Sequence, residues 1–265
     1  MQVPFFQIDA FTSTRFRGNP AAVMVLPSFP SDTLMQTVAA ENNLAETAFL
    51  VLGKENYQLR WFTPAVEVSL CGHATLASGA VIMERLDTGR DSVSFSTASG
   101  ILNVWRKDGR YVLDFPSRLA EQAAIPEAMA SALNAKPVEV YNNQHTYLVL
   151  LESAQAVREL QPDFAAIARF DRSGLIVTAK GDDGYDFVSR FFAPAKGVPE
   201  DPVTGSAHCM LAPYWAAKTG KTEFKAFQAS QRGGEVTCRL SHDRVELEGS
   251  CVFFIEGLAE IDFEW

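Results

Sequence analysis

The chain of 265 residues is 47% hydrophobic and 21% charged, with a net charge of -9 at neutral pH, a balance suited to one large or two smaller folded domains with a real core. No basic cluster offsets the acidic surplus, so nucleic acid is not an expected partner, and an anionic ligand would have to be held by local dipoles. No apolar run reaches bilayer-spanning length and no basic n-region precedes Asp9, while Cys71, Cys209, Cys238 and Cys251 lack CxxC spacing, so the expectation is a cytoplasmic protein with reduced thiols and no membrane contact.

In chain order, Phe5–Ala10 and Ala21–Leu26 read as paired strands. Ser31-Asp32 caps a helix to about Asn43, with Leu34, Val38 and Leu44 on one face. Thr47–Val51 and Gln58–Phe62 form a hairpin across Gly53-Lys54-Glu55-Asn56. A Phe62-Thr63-Pro64 loop then leads through Cys71-Gly72 into a helix, His73–Glu84, that is apolar nearly all round. A hairpin of Ile101–Trp105 and Tyr111–Phe115 closes the series.

The second half repeats it. Val138–Tyr141 and Thr146–Leu151 pair, Pro162-Asp163 opens a helix to about Arg169, and Leu175–Thr178 pairs with Asp186–Phe192. Phe192-Ala193-Pro194 leads through Thr204-Gly205 into Ser206–Ala217, again apolar on most sides, and Val236–Leu240 with Val245–Leu247 ends the copy. Pro213 is expected to kink or shorten that helix. A repeat of this length is a duplicated domain, predicted to divide at 1–117 and 118–265. A helix without a polar face has to be surrounded, which a strongly curved sheet achieves. The predicted class is therefore α+β, with two pseudo-symmetric domains, each a barrel-like, mostly antiparallel sheet around a central helix.

The two glycine turns, Gly72-His73 and Gly205-Ser206, each open a helix, and helix N-termini hold carboxylates through backbone N–H groups. Glu46 stands between a helix and a strand among small and apolar neighbours, where partial desolvation raises a carboxyl toward general acid/base duty. No carboxylate occupies the matching place near Arg172-Ser173-Gly174, so a symmetric scaffold carries one asymmetric acid. His73 at a helix start suits a neutral imidazole acting in hydrogen bonding or proton relay. Ser206 can cap its helix or donate to a substrate carboxylate, Asp201 can orient His73 or bind a substrate amine, and Asn19 is first a turn residue and second a ligand contact. There is no G-x-S-x-G elbow, no zinc-finger spacing, no GxGxxG and no Walker loop, so neither a serine hydrolase, nor a metal, nor a nucleotide cofactor is expected.

These motifs in this order resemble the phenazine-biosynthesis, PhzF-like isomerase family, within the wider diaminopimelate epimerase-like superfamily. The resemblance rests on Phe5–Phe11, Gly18–Val23, Ala45-Glu46-Thr47, Phe62-Thr63-Pro64, Cys71–Thr75 and Glu200–His208. It implies the diaminopimelate epimerase-like fold, a homodimer, no organic cofactor and a site in the cleft between the domains. It assigns proton transfer to Glu46, with His73, Asp201 and the glycine turns in the pocket. The superfamily's racemases use a cysteine at each glycine turn. Here Cys71 is opposed by Thr204, and a hydroxyl is too weak an acid to replace a thiol. The expectation is an isomerase of a small carboxylate working through one glutamate, with a Cys71-based epimerase and a non-catalytic binding protein as its rivals.

Overall fold

A computed structural model describes residues 1–53 and 56–262; the Lys54-Glu55 part of the expected first-half turn lies outside them. The chain forms two units, residues 1–114 with the stretch from Glu248 onward, and Phe115–Leu247.

In the first unit β1 (Gln2–Ala10) pairs antiparallel with β2 (Asn19–Leu26). Helix α1 (Asp32–Asn42) follows, its Ser31 cap accepting from the Leu34 N–H and its end marked by Asn43 in the left-handed conformation. It delivers the chain to β3 (Glu46–Val51), parallel to β2 and antiparallel to β4 (Tyr57–Phe62). One edge of β4 takes both β5 (Glu67–Val68) and β6 (Ser92–Thr97), and between them in sequence lies α2 (Gly72–Val81). Helix α2 is buried from His73 to Val81 and continues as one π-helical turn, Ile82–Leu86. Strands β7 (Gly100–Lys107) and β8 (Arg110–Pro116) complete this series.

The second unit opens with β9 (Glu121–Ala123) and the short helix α3 (Met129–Leu133). Then β10 (Glu139–Asn142) pairs antiparallel with β11 (Thr146–Leu150). The small helices α4 (Ala154–Arg158) and α5 (Phe164–Ile167) lead to β12 (Gly174–Lys180), which is parallel to β11 and antiparallel to β13 (Phe187–Ala193). One edge of β13 takes both β14 (Val198–Asp201) and β15 (Glu223–Gln228), and α6 (Gly205–Thr219) runs between them in sequence. Strands β16 (Gly234–Ser241) and β17 (Arg244–Gly249) follow. The pairing pattern of the first unit thus recurs strand for strand, the duplication read from the sequence: an α+β fold of diaminopimelate epimerase-like type.

Three expectations are corrected. The last strand, β18 (Cys251–Glu260), does not stay with the second half: it pairs along the whole of β1, from Gln2 opposite Glu260 to Ala10 opposite Cys251, and so belongs to the first unit. The helix from Asp163 is shorter than expected, ending in turns beyond Ile167. Pro213 does not shorten α6, which runs through it to Thr219. The carbonyl that a proline at this position cannot bond is that of Cys209, and the backbone N–H of Arg118 donates to it at 2.8 Å. A contact from outside the helix replaces the missing bond.

Helix α2 packs against β1, β2, β3, β7 and β18, and its approach to β7 depends on Gly79. A Cβ there would lie 2.7 Å from Val104 Cγ1. Gly79→Ala is therefore expected to cost about 1–3 kcal/mol, seen as a lower urea midpoint at unchanged m-value. Adding Val104→Ala should recover part of the loss; an unchanged midpoint in Gly79→Ala would show that the packing is not that close.

Candidate active site

The first constellation is assembled by three local features of the first unit. Gly18, at φ +66°, turns the chain where a Cβ would meet the Ala10 carbonyl at 2.2 Å, and sets Asn19 at the start of β2, opposite Ala10. Parallel pairing of β2 with β3 puts Glu46 opposite Ala21, and the Asn42 amide donates to Thr47 Oγ1 at 3.1 Å to fix the strand entrance. Cys71 and His73 come from the start of α2.

His73 lies at the centre, 4% exposed. Its Nε2 is 3.1 Å from Glu46 Oε2, its Nδ1 is 3.2 Å from Asn19 Nδ2, and the Cys71 sulfur is 3.5 Å from the same Nδ1. The Glu46 oxygen is at ion-pair distance yet off the N–H direction, so the attraction is mainly Coulombic. Burial opposes charge on His73, while the Cys71 sulfur and the Glu46 carboxylate favour it and the balance lies above the ordinary value; with Cys71 protonated at neutral pH, the carboxylate is the anion that acts there. The neutral imidazole expected at a helix start thus meets a neighbouring carboxylate that favours its charged form. Asn19 suits either state, giving Nδ2 to a neutral Nδ1 as placed here, or Oδ1 to a protonated one after a half-turn of the amide. Burial, then the charge of Glu46, pushes the Cys71 thiol up to about 11, against smaller opposing effects of His73 and the Ala74 N–H. At neutral pH Cys71 is a thiol. Ligand atoms of Glu46, Cys71 and His73 all lie within 4.8 Å of one another, so these residues are the ones that would face a metal ion if one entered.

The second constellation is in the second unit. Sharing of one β13 edge puts Asp201, at the end of β14, opposite Phe191, and Gln228, at the end of β15, opposite Ser189. A bidentate pair of Arg190 with Glu200, at 2.7 and 2.8 Å, anchors β14 beside it. Thr204 Oγ1 donates to Asp201 Oδ2 at 2.5 Å, and Gln228 bonds to both residues. Gly205 and Ser206 follow as the first residues of α6. Asp201 and the second glycine turn thus come together, as do Asn19, Glu46, Gly72 and His73 in the first unit.

Neither buried helix is capped. Ser31, Ser153 and Asp163 each accept from an N–H in the first turn of α1, α4 and α5, whereas Cys71 and Thr204 make no capping hydrogen bond to α2 and α6. At these two helix starts the partial positive charge is thus not met by a capping bond from the preceding side chain. The asymmetry of acids also has a steric cause. Gly174 opens β12 as Glu46 opens β3, and a Cβ on Gly174 would sit 3.1 Å from Thr146 Oγ1 and 3.1 Å from Phe191 Cζ. A side chain there would be crowded from its first carbon and would need both neighbours to give way by a few tenths of an ångström.

Sequence reading missed Gln228 and His208 as site-building residues. The signal for Gln228 was present: the strand alternation Phe224, Ala226, Gln228 turns all three inward. His208 is fully buried, and its Nδ1 donates to the Thr204 carbonyl at 2.8 Å. Burial lowers it from 6.5 to about 4, against a smaller opposing effect of that bond.

The two units, with their repeated pairing and an acid–imidazole pair beside an uncapped buried helix, define the class: proteins of the diaminopimelate epimerase-like fold. A family profile described as "Phenazine biosynthesis-like protein" matches residues 8–257, and the chain belongs to that family. An uncharacterised isomerase of Pseudomonas aeruginosa is 51% identical over 97% of this chain and 98% of its own length. The human phenazine biosynthesis-like domain-containing protein is 38% identical, over 97% of this chain and 99% of its own. The crystal structure of a PhzF-family protein from Enterococcus faecalis superposes with a TM-score of 0.95 at 42% identity, over 98% of this chain and all (100%) of that one. A probable proline racemase from Agrobacterium radiobacter, 12% identical with a TM-score of 0.63, shares the fold. Among the described residues no helix is long and apolar enough to cross a membrane.

His208 gives a prediction with a defined sign. Its folded-state value is depressed, so between about 4 and 6.5 the unfolded chain binds more protons than the folded one. The stability it protects is complete above 6.5 and is lost as pH falls through the window, by about 3 kcal/mol at most. Chemical denaturation at stepwise lower pH should show the decline, and His208→Gln should flatten it. An equally steep decline in the variant would assign the pH sensitivity elsewhere.

Proposed function

We propose that this protein is a cofactor-independent isomerase of a small carboxylate, with Glu46 as the single acid/base. The observation that carries the reading is the 3.1 Å approach of His73 Nε2 to Glu46 Oε2 at the uncapped start of α2. In this reading the N–H groups of Gly72 and His73, with those of Gly205 and Ser206, bind the substrate carboxylate. Ionised Glu46 takes a proton from a carbon at, or conjugated with, the α-position. Protonated His73 supports that ionised state and hydrogen-bonds the substrate's second polar group, as does Asp201, while Asn19 holds the imidazole ring. Glu46 then returns the proton on the same face to a different carbon, and no net oxidation occurs. The relatives named as isomerases are in keeping with this class of reaction. The active form in this proposal is a cytoplasmic homodimer.

A second reading rests on the 3.5 Å contact of Cys71 Sγ with His73 Nδ1, an arrangement through which imidazole could draw a proton from a thiol and make Cys71 an epimerase base. Two features weigh against it: burial holds that thiol protonated to about 11, and at the matching turn Thr204 is engaged with Asp201.

A screen of small carboxylates in heavy water tests both. Solvent deuterium entering a substrate carbon should fall by about 10²- to 10⁴-fold in Glu46→Gln and stay near the parental rate in Cys71→Ala. The reverse pattern would overturn the proposal in favour of a thiol epimerase. Carboxylates that stabilise the protein against heating without exchange or product would point to a binding protein.

A further inference from the structure

Thr204 occupies the place where a two-thiol racemase would hold its second cysteine, and all of its polar groups are engaged. Its N–H donates to Gln228 Oε1 at 2.9 Å, its carbonyl accepts from His208 Nδ1 at 2.8 Å, and its hydroxyl oxygen accepts from Gln228 Nε2 at 3.1 Å. The other Nε2 hydrogen of Gln228 goes to the Asp201 carbonyl at 2.8 Å. The amide orientation is unambiguous, because the reverse placement would set an NH₂ group against the Thr204 N–H. With the amide donating to Oγ1, the one hydroxyl hydrogen of Thr204 points to Asp201 Oδ2, 2.5 Å away. Gln228 is fully buried and Thr204 is 7% exposed, so water does not compete for these bonds and each is correspondingly directional.

We propose that Gln228 and Thr204 form a positioning relay, in which Gln228 aligns the Thr204 hydroxyl and the hydroxyl aims the Asp201 carboxylate. The threonine replaces the proton-carrying cysteine with a fixed donor, converting the second glycine turn from a base site into a holding site. His208 supports the relay from the helix side by tying down the Thr204 carbonyl. Neither Gln228 nor Thr204 touches the substrate in this account; both act through Asp201. The inference rests on the proposed function for its consequence in turnover, though the relay itself is open to test without a substrate.

The test uses the full-length protein and NMR first. The two Gln228 side-chain amide protons should exchange with water at least ~100-fold more slowly than a free carboxamide. Thr204→Val should release one of them and move the Asp201 13Cγ resonance, whereas Thr204→Ser, which keeps the hydroxyl, should leave both as in the parent. Free-amide exchange in the parent, or an unmoved Asp201 resonance in folded Thr204→Val, would overturn the relay. Turnover is read second, as deuterium exchange into a carboxylate the parent accepts, at a temperature where each variant is fully folded: Thr204→Val should lose roughly tenfold or more in kcat/KM, with Thr204→Ser near the parent. Full turnover in Thr204→Val despite a freed Gln228 proton would make the network purely structural and overturn the positioning role. If no carboxylate exchanges in the parent, it is the proposed function that fails, and the NMR result decides the relay alone.

Discussion

The contact of a buried imidazole with a carboxylate, His73 Nε2 to Glu46 Oε2 at 3.1 Å, is the constraint around which the first unit is organised. Its two partners come from elements far apart in sequence. Glu46 is fixed because β3 runs parallel to β2, and β2 starts where Gly18 turns the chain. His73 is fixed because α2 is enclosed by strands on several sides and packs against β7 at a glycine. The electrostatics follow from that enclosure. In water such a pair would attract weakly and be screened; with His73 nearly inaccessible, the Glu46 carboxylate works against the burial penalty and favours the charged imidazole. The same burial leaves Cys71 a thiol. One enclosed site thus assigns opposite charge behaviour to two adjacent titratable groups on one helix start.

The duplication supplies a contrast inside a single chain. Both units repeat the same strand pairings, both place a buried helix after the strand that follows the Phe-x-Pro loop, and both leave that helix uncapped. Where they differ, the cause is visible. Gly174 is crowded by Thr146 and Phe191 where Glu46 stands in the other copy, and Thr204 gives its hydroxyl hydrogen to Asp201 where Cys71 faces an imidazole. In the proposed function the symmetric parts are those that hold a carboxylate, and the asymmetric parts are those that handle the proton.

Much of this was legible in the sequence because it is local. Ser31 and Asp163 cap their helices through the side-chain chemistry that marks them, and the apolar runs after Gly72 and Gly205 have no polar face to expose. What escaped was set by distant partners. Pro213 looks like a helix breaker until the Arg118 N–H takes the carbonyl it orphans. β18 finds β1 at the opposite end of the chain, and no local pattern announces that choice. The alternation Phe224, Ala226, Gln228 marks Gln228 as inward-facing, but only the meeting of β14 and β15 on one edge of β13 makes it the partner of Thr204. At His73 the helix-dipole argument had no way to count a carboxylate brought in from another strand.

The central claim is that Glu46 and His73 are one electrostatic unit. It is tested most directly by following the His73 ring nitrogens by 15N NMR across pH in the parent and in Glu46→Gln. The account predicts that the parental imidazole stays protonated well above the usual histidine range and that its titration moves to lower pH once the carboxylate is gone. A His73 titration that is the same in both proteins would contradict it.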